Sequence, residues 1–160
     1  MRKLNVEVTR AIEAGVLLGP TIIAGGDFIA MTGGHVHYWA READGPDEVR
    51  KAAREQVKAG ARFIKLMASG GAADPAESPD APQLDEDEMG AAVAEAKKRG
   101  LPVAVHAHRE QSILASLRAG ASTIEHATYF SPEAVDALVS LSGPGSGTGS
   151  GVSRSSPCGD

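Results

Sequence analysis

"MGAAVAEAKKRGLPVAVHAH", residues 89–108, decides how the chain is read. The first half is an amphipathic helix by its apolar spacing. Gly100 stands where a helix needs a residue in the left-handed region to stop. A short β-branched run follows, as in a strand buried on both faces, and it ends on His106 and His108. The same phrase occurs three more times: "TRAIEAG" leads to "TIIAGG", "RKAAREQVKAG" to "RFIKLM", and "SILASLRAG" to "STIEHA". Gly15, Gly60 and Gly120 take the place of Gly100. The expectation is four helices, each closed by glycine and followed by a strand.

Helix starts are marked as well. Pro46 precedes Asp47 and Glu48, acidic residues suited to a helix N-terminus. Asp85 with Glu88 fits a capping box. Ser131-Pro132-Glu133 is a cap followed by proline at the first helical position. Strands alternating with helices at this spacing call for a parallel sheet with right-handed crossovers. Two architectures answer to that: an open doubly wound sheet and a (β/α)8 barrel. Residues 25–43 and 69–84 break the rhythm as long loops after strand C-termini, where such folds keep their sites. Residues 142–160 are Gly/Ser-rich and read as a disordered tail behind a domain of residues 1–141.

Bulk properties narrow the function. The chain has 160 residues, 42% hydrophobic and 23% charged, a globular composition. Aromatics are only 4%, so the core is built from Ala, Val, Ile and Leu. A net charge of −5 with no basic stripe argues against nucleic acid and anionic membranes as partners. The single cysteine, Cys158, excludes a disulfide framework. No secretory signal and no apolar run of about 20 residues is present, so the cytoplasm is the default location. "GGDFIAMTGG" lacks the GxGxxG spacing of a dinucleotide site.

Three strands end on side chains able to do chemistry: Lys65 closes "RFIK", His106 closes "VAVH" and His126 closes "TIEH". Each has an ordinary structural reading. A strand-end histidine is often a hydrogen-bonded core residue, and Lys65 can pair with Glu125. Three at matched positions on successive parallel strands point instead to one shared site at the C-terminal ends. Neutral imidazole is a common metal ligand. Lysine becomes a ligand only as a carbamate, which requires a neutral amine. His108 lies one step past its strand and suits a substrate-facing position better than a ligand.

From about Val6 to Leu138 the chain resembles the metal-dependent amidohydrolase superfamily, in its prolidase-like and imidazolonepropionase-like branch. "GPTIIAGG" with "TGGH", "IK" followed by "SGG", "HAH" and "IEH" carry the resemblance in that order. It implies an α/β fold: part of a (β/α)8 TIM barrel, about four of its eight strands with their helices. It implies a carboxylated Lys65 bridging two divalent ions, with His106 and His126 binding one of them. The ions would be zinc, with Mn, Fe and Co as alternatives. It implies that His35 polarises the scissile carbonyl, that His108 lines the substrate pocket, and that Ser69, Gly70 and Gly71 border a small-molecule substrate.

A rival reading takes His35 and His37, in "HVH", as the family's first-strand HxH pair, which binds the other ion. Their place in a Gly-rich loop favours the loop histidine. The HxH strand and the final-strand aspartate of the family then have no counterpart in these residues. The expectation is a fragment: one metal half-site, inactive alone in amide or other C–N hydrolysis, ending in a frameshifted or artificial tail. Open strand edges would favour pairing of two copies. The alternative function is a non-catalytic α/β small-molecule-binding or structural module.

Overall fold

In the computed structural model, residues 3–72, 77–141 and 151–153 are described. Helix α1 (Leu4–Glu13) leads to β1 (Phe28–Ala30), a single 3-10 turn (His37–Trp39) and β2 (Ala40–Glu42). Then come α2 (Gly45–Ala59), β3 (Ile64–Met67), α3 (Glu86–Lys97), β4 (Val103–Ala107), α4 (Glu110–Ala119), β5 (Thr123–His126), α5 (Pro132–Leu141) and β6 (Gly151–Ser153). All strand pairs are parallel, in the order β2-β1-β3-β4-β5-β6. No helix of the described residues is long and apolar enough to cross a membrane.

The local signals operate as anticipated. Gly15, Gly60, Gly100 and Gly120 all lie at positive φ after their helices. Asp85 and Glu88 form the reciprocal capping box at the start of α3. The Ser131 hydroxyl accepts from the Ala134 amide at 3.1 Å, capping α5.

Two expectations are corrected. "TIIAGG" is not a strand. It has the right composition, but Gly25 passes against the Phe63 ring, and Gly26, at φ 75°, is pressed on the Gln56 side chain. A chain turned into the left-handed region cannot continue a ladder, so the strand forms later, at Phe28–Ala30. Residues 25–43 are therefore not one long loop, since they contain β1, the 3-10 turn and all of β2. Within the segment 142–160 the structure describes residues 151–153. Gly151–Ser153 pairs with Thr123, Ile124 and Glu125, supplying partners to an otherwise unpaired strand edge. The rest of that segment lies outside the described residues.

Strand alternation separates two environments. Ile64, Leu66, Val103, Val105 and Ile124 face the helices and are fully or almost fully buried with Val49, Ala52, Met89, Ala92, Ile113 and Leu117. Alanine on α2 and α3 lets these helices approach the sheet closely. Shortening a buried side chain here, such as Leu66→Ala, would cost about 2–5 kcal/mol. The opposite face carries Lys65, Met67, His106 and Glu125. The register Lys65↔Ala104, Met67↔His106 and His106↔Glu125 puts all four on it. A parallel sheet with its helices on one face and polar groups on the other is a section of a barrel wall seen from inside.

Candidate metal centre

Lys65, His106 and His126 do not sit at matched positions. Lys65 is level with Ala104, two residues before His106, and His126 is level with Ala107. By alternation alone His126 would face the helices. Two consecutive residues at positive φ, His126 at 71° and Ala127 at 45°, reverse the chain there. The imidazole is thereby delivered to the site. Such backbone is costly outside glycine and is found where surrounding structure enforces it.

The result is a group of imidazoles. His106 meets His126 edge-on with ring centroids 4.8 Å apart, and meets His108 edge-on at 4.7 Å. His108 and His126 stack at 4.9 Å. Among the described residues, His106, His108 and His126 form a group that could hold a metal ion, their donor atoms all lying within 4.8 Å of one another. His108 is thus brought into the cluster rather than left beside it.

Protein oxygens fix two of these rings. A carbonyl can only accept, so His106 donates Nε2–H to the Gly70 carbonyl at 3.0 Å, leaving Nδ1 with its lone pair. His108 Nδ1 lies 2.8 Å from the Thr128 hydroxyl, so Nε2 remains available. Burial pushes the His106 pKa down to about 3, with His35, Lys65 and His108 nearby adding to the shift. Burial also lowers His108 and His126. The three rings are therefore neutral at pH 7, the form that ligates metal. Uncharged imidazoles, two of them with one nitrogen held by the protein and the other free, fit a divalent cation.

Lys65 is 7% exposed and its Nζ is paired with the Glu125 carboxylate. Burial lowers its pKa while Glu125 opposes the shift. The salt bridge that the sequence allowed is thus present, and the lysine charge acts on both His106 and His126.

His35 packs its ring on His106, centroids 4.4 Å apart and planes 27° from parallel. It belongs to the turn after β1, whereas His37 is exposed and starts the 3-10 turn. The "HVH" pair therefore does not lie on a strand. Ser69 is fully buried. Its hydroxyl donates to the Gly70 carbonyl at 3.0 Å and accepts from the His108 amide at 3.2 Å. It shapes the site from behind. Gly70 and Gly71 leave room for close neighbours: a Cβ would strike the Ser78 backbone at Gly70 and the His35 ring at Gly71.

The sequence reading missed Glu77, whose carboxylate lies 2.6 Å from His35 Nδ1. It also missed Arg109, paired with Asp80 and lying 3.6 Å over the Tyr129 ring at the edge of the site. Only their loop positions hinted at either.

Known proteins share this fold. The Amidohydrolase family model matches residues 5–139, and the chain belongs to that metal-dependent family. Ochratoxinase of Aspergillus niger is 32% identical over 152 residues, covering 79% of this chain and 32% of the relative. A solved Xaa-Pro dipeptidase with methionine in its active site superposes with a TM-score of 0.81 at 35% identity, over 88% of this chain and 38% of that one. A prolidase complexed with N-methylphosphonate-L-proline gives 0.80 at 32% identity, over 86% and 38%. The chain spans about a third of the length of the curated relatives it matches. The fold is thus a partial amidohydrolase barrel of α/β class.

Proposed function

We propose that residues 1–160 carry a metal-binding part of an amidohydrolase that cleaves amide or related C–N bonds in small molecules. Dipeptides of the Xaa-Pro type and cyclic amides are the favoured substrates. The observation that carries the reading is the convergence of His106, His108 and His126 at the C-terminal ends of two adjacent parallel strands. The relatives' names, prolidase, Xaa-Pro dipeptidase and ochratoxinase, support the substrate class.

His106 and His126 hold the ion, and His108 stands within reach as a third imidazole or as a substrate contact. When bound, a divalent ion, zinc by preference over Mn, Fe or Co, supplies Lewis acidity and a water of lowered pKa. Lys65, once freed from Glu125 and carboxylated by CO2, would offer oxygen ligands in place of an ammonium. His35 is placed beside His106 to interact with the scissile carbonyl oxygen. Ser69, Gly70 and Gly71 border the substrate space. Residues 1–160 alone bind metal without turnover, since the family's proton-carrying aspartate has no counterpart in them. Two copies pair through the exposed edge at β2, and the protein acts in the cytoplasm on a small-molecule substrate rather than on nucleic acid or membrane.

The test joins residues 1–160 to the rest of a barrel and assays the metal-loaded protein on Xaa-Pro dipeptides, N-acyl amino acids and cyclic imides. Hydrolysis of one class, lost in His126→Ala, is expected. No hydrolysis of any class by a metal-loaded protein would contradict the reading.

A further inference from the structure

Glu77 lies in the segment between β3 and α3, with its carboxylate 2.6 Å from His35 Nδ1. We infer that Glu77 is the positioning residue of His35: it fixes the proton on Nδ1 and leaves Nε2 as the only ring nitrogen open to a substrate. This rests on the reading above for what His35 does, but its geometry is independent of any metal.

Four contacts hold His35. The Glu77 carboxylate oxygen lies 2.6 Å from Nδ1, and a carboxylate is an acceptor, so Nδ1 must carry the hydrogen. The same oxygen accepts the Gly71 amide at 3.0 Å, which holds Glu77 in place. The His35 backbone amide donates to Gln83 Oε1 at 2.9 Å, from the other end of the same segment. One face of the ring lies on His106, and the Gly71 Cα leaves no space beside it.

Both partners are mostly removed from water, with side-chain exposures of 11% for His35 and 15% for Glu77. A hydrogen bond to a charged acceptor at that depth is stronger than a surface pair and more directional. A carboxylate behind an imidazole is also the usual means of selecting one tautomer and one ring orientation. An exposed glutamate that merely stabilised the loop would have no reason to aim at a ring nitrogen next to the metal-competent cluster. Glu77 does not touch the reacting atoms in this account. It acts through His35.

The experiment is nitrogen-15 NMR of the histidine rings in the metal-free chain, with His35 assigned by its loss in His35→Gln. Nδ1 of His35 is expected at a proton-bearing shift. Glu77→Gln, which keeps an acceptor oxygen, should retain that shift. Glu77→Ala should move the Nδ1 resonance to the bare-nitrogen range while backbone amide signals from β3 to β5 stay in place. A bare Nδ1 in the unsubstituted protein overturns the inference, even where Glu77→Ala fails to fold. So does a folded Glu77→Ala whose Nδ1 signal is unmoved. A negative result here leaves metal binding by His106, His108 and His126 untouched, and loss of metal binding leaves this result untouched.

Discussion

The rings of His108 and His126 lie face to face, centroids 4.9 Å apart and planes inclined by 19°. His108 follows β4 directly, and His126 ends β5. Their stack exists because the chain reverses at His126 and Ala127, both at positive φ. Local strain at this point is coupled to the assembly of the imidazole group.

That coupling predicts a contrast at Ala127, which is 2% exposed. Ala127→Val puts a β-branched side chain at a φ it does not tolerate, and should destabilise the chain by about 1–3 kcal/mol. It should also displace the His126 ring. Ala127→Gly relieves the strain but loses a buried methyl, so its stability should stay within about 1 kcal/mol of the parent. Urea unfolding of the two variants checks both values.

Gly71→Ala should act on the site through shape alone. The new methyl would occupy the space of the His35 ring. Overpacking of this kind costs about 1–3 kcal/mol. The ring must leave its stack on His106, and the loss of ring-current shifts between the two histidines in proton NMR would report it.

Much of the fold was legible and part of the site was not, for reasons visible at particular residues. Helices α2 and α4 carry apolar periodicity, α3 opens on a capping box, and all three stop at or close to glycines, so β3, β4 and β5 could be placed after them. The first strand was misplaced because "TIIAGG" has strand composition, while the three-residue β1 is too short to show any period. His106 and His126 were marked by ending strands. The face of His126 was not readable, because alternation sends it away from Glu125 and only the left-handed backbone returns it. Glu77 and Asp80 lie in a Pro- and Asp-rich loop without periodicity, so nothing in the sequence tied them to His35 and Arg109.

The helix layer offers a pH test away from the site. Glu95 is 6% exposed and is hydrogen-bonded by Arg54 at 2.9 Å and Lys98 at 2.7 Å. Those cations lower its pKa from 4.5 to about 2. A carboxylate depressed in the folded state contributes stability that is fully present above 4.5 and is lost as pH falls towards 2. The melting temperature should therefore decline across that window. Glu95→Gln should reduce the decline, and high salt should weaken the effect because Arg54 and Lys98 are exposed.

The measurement that bears most directly on the central claim is calorimetric titration of Zn2+ into the metal-free chain at neutral pH. One saturable site is expected in the parent protein, weakened at least tenfold, or about 1.4 kcal/mol, by His106→Ala and by His126→Ala. Its occupancy should stabilise the fold, by about 2.7 kcal/mol at a hundredfold excess over Kd. No saturable binding, or binding that both substitutions leave unchanged, would contradict the assignment of these histidines as a metal centre.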